Sequence, residues 1–180
     1  MSHITNKDIM YQPFVINDIS VVELLIEFRY KYDENLFLEN GSMFYVTGVK
    51  PVNQELVATY LSLDETIKTC GFTEQQLTLI KLVEQGYTHR EIASIIKVEN
   101  QNVSKMLKTV YKAIVKENER QWRKTYYTHT LGLKTKQCGE CQEKLPATDE
   151  FFQSRSKITG DGFYNICKKC ENLKKKNNEK

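Results

Sequence analysis

The chain has 180 residues, of which 40% are apolar and 27% are charged. This composition allows one ordinary domain or two small ones and excludes a disordered chain. No run of 18 apolar residues occurs, and the N-terminus lacks the basic-then-apolar order of a signal peptide, so we expect a cytoplasmic protein without membrane segments. Residues 1–71 hold five basic and ten acidic side chains, against 21 and 13 in the remainder. The second part is therefore the one suited to a polyanion.

The acidic region of residues 1–70 is predicted to be α+β. Residues 18–34 have the periodicity of an amphipathic helix, and a hairpin is predicted over 37–46, where Asn40 and Gly41 supply the positive φ angles of a tight turn. Residues 54–69 show weaker helical periodicity. Without a catalytic constellation here, we expect dimerisation or contact with a protein such as RNA polymerase, and a plain scaffold role is the alternative. The predicted inward face of the first helix consists of Val22, Leu25, Ile26 and Tyr30.

Residues 71–118 carry the pattern of three helices. Two helix starts are marked by reciprocal capping boxes, Thr73 with Gln76 and Thr88 with Glu91. They predict helices over about 74–85 and 89–96, and a long third helix follows the break at residues 97–99. Such a burial pattern is typical of a trihelical DNA-binding unit. The residues predicted to face inward are Leu77, Ile80 and Val83, then Ile92, Ile95 and Ile96, and finally Val103, Leu107, Val110 and Ile114.

The run GYTHREIASIIKV at residues 86–98, followed by Val103 and Leu107, resembles a known DNA-binding motif. It is similar to the helix-turn-helix of LuxR-type response regulators and of the promoter-reading C-terminal domain of sigma factors, although Lys97 stands where such turns usually have Gly. The resemblance implies that the third helix lies in the major groove of double-stranded DNA.

The outward face of that helix supplies the predicted DNA contacts. Gln and Asn suit the edge of adenine, and Lys suits guanine or phosphate, so we expect base contacts from Gln101, Asn102 and Lys105. Ser104 lies on the same face. Phosphate contacts are assigned to the basic stripe of Lys108, Lys112 and Lys116, and to Arg90 on the second helix. The alternative is a polar helix face that contacts only solvent.

Two Cys-x-x-Cys pairs, Cys138 with Cys141 and Cys167 with Cys170, are separated by 25 residues. In a reducing compartment they are better interpreted as ligands of a structural Zn²⁺ than as disulfides. The segment resembles the small four-cysteine zinc modules of phage and mobile-element proteins, which often accompany HNH nucleases. The only histidines are at positions 3, 89 and 129, so an HNH active site is not expected.

The sequence thus predicts a mainly α protein with a trihelical helix-turn-helix and a small zinc-stabilised C-terminal module. The expected boundaries are 1–70 for the acidic region, 71–118 for the helix-turn-helix, 119–135 for a linker or helix extension, and 136–180 for the zinc module with its basic tail. The expected function is non-enzymatic, sequence-specific transcription regulation, encoded by a phage or mobile element and acting in the bacterial cytoplasm, as a homodimer if the N-terminal region dimerises. Two alternatives stay open: a DNA-packaging or recombination accessory protein of the small-terminase type, and a nuclease.

Overall fold

The computed structural model describes residues 16–32, 52–155 and 160–178, and the chain divides into two compact units, Met1–Glu119 and Arg120–Lys180. The hairpin predicted over 37–46 lies outside the described residues. The described part is mainly helical, with two small antiparallel sheets.

The described part of the first unit is built from helices with well-defined starts. Helix α1 spans Ile19–Glu27 and is followed by a 3-10 turn at Arg29–Lys31. Helices α2, α3 and α4 span Gln54–Thr69, Glu74–Glu84 and His89–Ile96, and α5 spans Asn100–Thr125. Both predicted capping boxes are confirmed, because in each the Thr side chain accepts from the backbone of the third helical residue and that residue's side chain accepts in return. The sequence therefore placed these two helix starts correctly.

All five helices contribute to one hydrophobic core in the first unit. The predicted stripe of α5 is confirmed, since Val103, Leu107, Val110 and Ile114 are all buried. Helices α1 and α2 add Val22, Leu25 and Ile26, and Leu56, Tyr60 and Leu63 respectively. The acidic region is thus joined to the helices that follow it by a shared core.

Three predicted core residues are wrong. Leu77 and Ile95 are 45% and 49% exposed, and Leu79 and Ala93 are buried instead. Residues three apart on an α-helix are displaced by about 60° around its axis, so an i, i+3, i+6 pattern drifts out of a narrow buried stripe. Tyr30 is 53% exposed because α1 ends at Glu27, before the predicted face is complete.

Tyr30 and its neighbour Arg29 instead connect α1 to the rest of the unit. The Arg29 guanidinium donates to both carboxylate oxygens of Asp64 at 2.7 and 2.8 Å and lies 3.7 Å from Glu84. The Tyr30 ring lies 3.3 Å from the point where a Cβ on Gly86 would stand, and Gly86 has φ +83°. Glycine at position 86 therefore satisfies two constraints, the left-handed backbone and the close approach of the ring.

The second unit has short elements around a small core. After α5, a π-helical turn covers Tyr126–Thr130. Strands β1, Thr135–Gln137, and β2, Lys144–Pro146, form one antiparallel hairpin, and β3, Phe152–Ser154, and β4, Phe163–Cys167, form another. Helix α6 spans Lys168–Asn178. The buried core of the second unit consists of Cys138, Leu145, Phe151, Phe152, Cys167 and Cys170.

Candidate functional site

The connection between α4 and α5 has a sharp, locally determined geometry. Helix α4 starts at the Thr88 capping box and ends at Lys97, which takes the left-handed conformation with φ 56° and ψ 50°. The Val98 N–H then donates to the Ala93 carbonyl at 3.0 Å. Lys97 thus adopts the backbone conformation that glycine usually supplies at the end of a helix.

The face of α5 opposite its buried stripe is polar and basic. Gln101, Lys105, Lys108 and Lys112 are exposed, and Asn102 and Ser104 are half-buried at the flanks of this face. Residues 100–116 contain four lysines and no acidic residue. Arg90 is exposed in the first turn of α4. The predicted DNA-contacting residues are therefore at the surface, with a cationic character on α5.

Two of these residues already have partners. The Gln101 side-chain amide donates to Glu99 Oε2 at 2.7 Å. The Ser104 hydroxyl lies 3.3 Å from Nδ1 of His89, the first residue of α4. Ser104 is consequently held between the two helices, whereas Gln101 keeps its second N–H and its amide oxygen for another partner.

The four cysteines of the second unit come together in a separate cluster. Cys138 and Cys141 flank the turn between β1 and β2, Cys167 ends β4, and Cys170 lies in the first turn of α6. The four sulfur atoms all lie within 4.8 Å of one another, which positions them to hold a metal ion. Cys138 and Cys170 have their sulfurs 4.0 Å apart, far beyond the ~2.05 Å of a disulfide and close to the ~3.8 Å expected across a tetrahedral four-thiolate site.

Backbone donors stabilise a thiolate at one corner of this cluster. The N–H groups of Cys167 and Glu140 lie 3.3 and 3.5 Å from the sulfur of Cys138. Burial alone would raise the pKa of the Cys138 thiol, but the hydrogen bonds outweigh it and the pKa falls to about 6. Burial raises the pKa of Cys167 and Cys170. A thiolate is the form that binds a metal, and the backbone donors around Cys138 favour that form.

The chain around the cluster fixes the two cysteine pairs to each other. In the turn between β1 and β2 that contains Cys138 and Cys141, called the first cysteine turn below, Gln142 takes a left-handed φ of 59°. Its N–H donates to the Cys138 carbonyl at 3.0 Å. The Gly139 N–H donates to the Asn165 carbonyl of β4 at 2.8 Å. This hydrogen bond links the first cysteine turn to the strand that ends at Cys167.

A half-buried ion-pair group anchors the first hairpin within this unit. Glu143 accepts from Lys124 at 2.6 Å and from Arg120 at 3.0 Å. Burial raises the pKa of Glu143, but these two cations outweigh it and hold the pKa below its usual range. Glu143 was not identified from the sequence, because its partners lie about 20 residues away with no local pattern that relates them.

Aromatic residues also take defined places that the sequence did not specify. Trp122 and Tyr126 stack with ring centroids 5.1 Å apart and an interplanar angle of 7°. Tyr127 packs edge-on against Phe151 of the core. The guanidinium of Arg155 lies 5.6 Å from the ring centroid of Tyr164, which is 48% exposed. The signal that could have identified Tyr164 as a functional residue is its aromatic side chain at an exposed position of a strand.

Comparison with known proteins identifies no relative, since no protein-family model, no curated protein and no solved structure matches the chain. The resemblance to LuxR-type and sigma-factor motifs thus depends on the residues quoted above. Among the described residues, no helix has both the length and the apolar character needed to span a bilayer.

Proposed function

We propose that this protein is a non-enzymatic, sequence-specific DNA-binding transcription regulator that uses α3, α4 and α5 as a helix-turn-helix. The observation that carries the proposal is the division of α5 into two faces. Its inward stripe is fully buried, and its outward face carries lysines and amide side chains with no acidic residue over residues 100–116. A helix of this kind fits the major groove, where base edges present donors and acceptors next to phosphates.

In this proposal the outward residues have two kinds of role. Gln101, Asn102 and Lys105 contact base edges, and Gln101 does so with the amide groups that Glu99 leaves free. Lys108 and Lys112 neutralise phosphates on the DNA backbone. Arg90, exposed at the start of α4, binds a further phosphate.

We further propose that the four-cysteine cluster holds a structural Zn²⁺. The donor set fits, because four thiolates are the ligands of closed tetrahedral zinc sites and no coordination position remains for substrate. Zinc would join the two hairpins and the start of α6 to one another, and its role would be structural and not catalytic. The described part of this unit has few buried apolar side chains besides its cysteines, which is typical of domains that depend on a metal.

A binding selection tests the DNA-binding proposal. Zinc-loaded full-length protein is mixed with genomic fragments at near-physiological salt, and the retained fragments are sequenced. A short recurrent motif near promoters is expected. Retention without any motif would instead favour a packaging or recombination accessory role, and no retention would contradict the proposal.

Substitutions then separate base contacts from phosphate contacts. Gln101→Ala or Asn102→Ala should reduce discrimination between the selected motif and a scrambled duplex by about 1–3 kcal/mol. Lys112→Ala should weaken both duplexes equally and reduce the salt slope by about one. Lys81→Ala is the matched control, because Lys81 is exposed on α3 and its substitution removes the same charge outside α5. Uniform weakening by all of the α5 substitutions would refute the assignment of base contacts.

A further inference from the structure

We infer that the β3–β4 hairpin of the second unit binds an unpaired nucleotide, with the base stacked on Tyr164 and the phosphate bound by Arg155. This would be a second nucleic-acid site, for a single strand of DNA or RNA. It does not depend on the DNA-binding role of α5.

The hairpin has an irregularity at the position of Tyr164. Phe152 pairs with Cys167 and Ser154 pairs with Phe163, so Gln153 alone stands opposite the three residues 164–166. Such a bulge re-aims side chains and interrupts the ladder of hydrogen bonds. The carbonyl of Asn165, within this irregular stretch, accepts from the Gly139 N–H in the first cysteine turn.

The bulge and the strand end place a ring and a cation together at the surface. The guanidinium of Arg155 lies 5.6 Å from the centroid of the Tyr164 ring, and Tyr164 remains 48% exposed. The Arg155 N–H donates to the Gly162 carbonyl at 2.8 Å, which fixes the Arg155 backbone to the other strand. An aromatic ring beside an arginine offers a base a stacking surface and offers its phosphate a forked donor.

The charges around this pair favour a polyanion. Residues 120–180 contain 14 basic and seven acidic residues. Of the described carboxylates in this unit, all except Asp149 lie in ion pairs with Lys or Arg. On the described part of the hairpin the one carboxylate is Asp161, which is neutralised by Lys136 at 2.9 Å. No uncompensated negative charge therefore repels a phosphate from the described hairpin.

The same surface is poorly suited to a protein partner. A protein interface needs a cluster of apolar side chains that lose their water together. Within the described hairpin, Tyr164 is the one large hydrophobic residue that is exposed, and Gln153, Ser154 and Asn165 are exposed on the same hairpin. A hairpin that exposes amide and hydroxyl groups and a single ring instead offers groups that match the edge and the face of a base. Stacking on the ring requires a base that is not paired in a duplex.

The test uses zinc-loaded full-length protein and three fluorescein-labelled probes of about ten nucleotides: oligothymidylate, oligouridylate and a duplex. Fluorescence anisotropy measures each Kd. At least one single strand should bind with a Kd below about 100 μM at low salt, the weak end of non-specific binding. Tyr164→Ala should raise that Kd by about 5- to 150-fold, the range found for stacking on one aromatic side chain. The preference between the two strands tells DNA from RNA.

Three further variants make the outcome specific. Tyr164→Phe keeps the ring and should leave the Kd within about twofold of the unsubstituted protein, since the face of the ring carries the stacking. Arg155→Gln should weaken binding and reduce its salt dependence. Lys144→Gln, which removes an exposed cation on β2, is the matched control for net charge. Zinc content, measured for each variant, shows that the unit is folded.

Two results would overturn the inference. One is the absence of single-strand binding by the unsubstituted protein, including the case in which an acidic peptide binds instead. The other is an unchanged affinity for Tyr164→Ala together with an equal loss for Arg155→Gln and Lys144→Gln, which would mean that net charge alone is responsible. Failure of the α5 proposal is distinguishable, because Lys112→Ala acts on the duplex probe, and Tyr164→Ala acts on the single strands.

Discussion

Removal of the metal should unfold the second unit and leave the first unit folded. Among the described residues of the second unit, the large apolar side chains that are buried, apart from the cysteines, are Leu145, Phe151 and Phe152. At about 1.5–3 kcal/mol for each fully buried side chain, they contribute roughly 5–9 kcal/mol. A structural zinc site supplies about 10–16 kcal/mol at neutral pH. The metal therefore stabilises the unit more than its apolar core does, and the unit should not retain its structure without it.

Hydrogen-exchange mass spectrometry before and after chelation measures this effect. Peptides from residues 136–172 should lose protection, and peptides from residues 73–116 should keep it. Cys141→Ser should reproduce the loss, and Cys70→Ser is the control because Cys70 lies outside the cluster at the end of α2. Unchanged protection of residues 136–172, after elemental analysis has verified that the metal is gone, would refute the reasoning.

Three other predictions concern the first unit and are measured by urea denaturation followed by far-ultraviolet circular dichroism. Thr88→Ala removes the cap of α4 and should lower the free energy of unfolding by about 1 kcal/mol. Thr78→Ala, at an exposed position within α3, is the control and should lower it by less. Equal losses of stability would contradict the role of the cap. Lys97→Gly relieves a left-handed conformation and should stabilise the unit by about 0.5–1 kcal/mol, and a neutral or destabilising result would show that Lys97 is not strained. Tyr111→Phe removes a buried hydroxyl that has no hydrogen-bond partner among the described residues and should stabilise the unit by about 1–3 kcal/mol. Burial also raises the pKa of Tyr111 and Tyr60, so the folded unit keeps protons that the unfolded chain loses, and stability should fall as the pH rises above about 10. Tyr111→Phe should make that fall less steep, and an unchanged steepness would contradict the assignment.

Local signals were sufficient to predict several elements from the sequence. Capping boxes act within four residues, and for this reason the starts of α3 and α4 were correct. The stripe of α5 repeats over four turns, so its period was unambiguous. The two Cys-x-x-Cys pairs meet when the segment between them closes into a loop, and the structure brings their sulfurs together.

Features that depend on distant partners were not predictable in the same way. The short helices α3 and α4, with 11 and 8 residues, offer only about three and two turns for defining a face, and Leu77 and Ile95 were placed on the wrong side. The strands of the second unit are three to five residues long, too short for a reliable alternation. The pairing of Arg155 with Tyr164 depends on the register of the hairpin, which one sequence does not reveal.

The uneven exposure of the four cysteines has a consequence for how a bound metal would be lost. Cys138, Cys167 and Cys170 are buried, and Cys141 is exposed. A competing chelator or an oxidant arriving from solvent would therefore meet Cys141 before the other three. We expect metal exchange to be sequential, with release of Cys141 as the first step and the three shielded ligands retaining the ion. The lifetime of the bound metal would then depend on how often this one sulfur detaches, and not on the combined strength of four bonds.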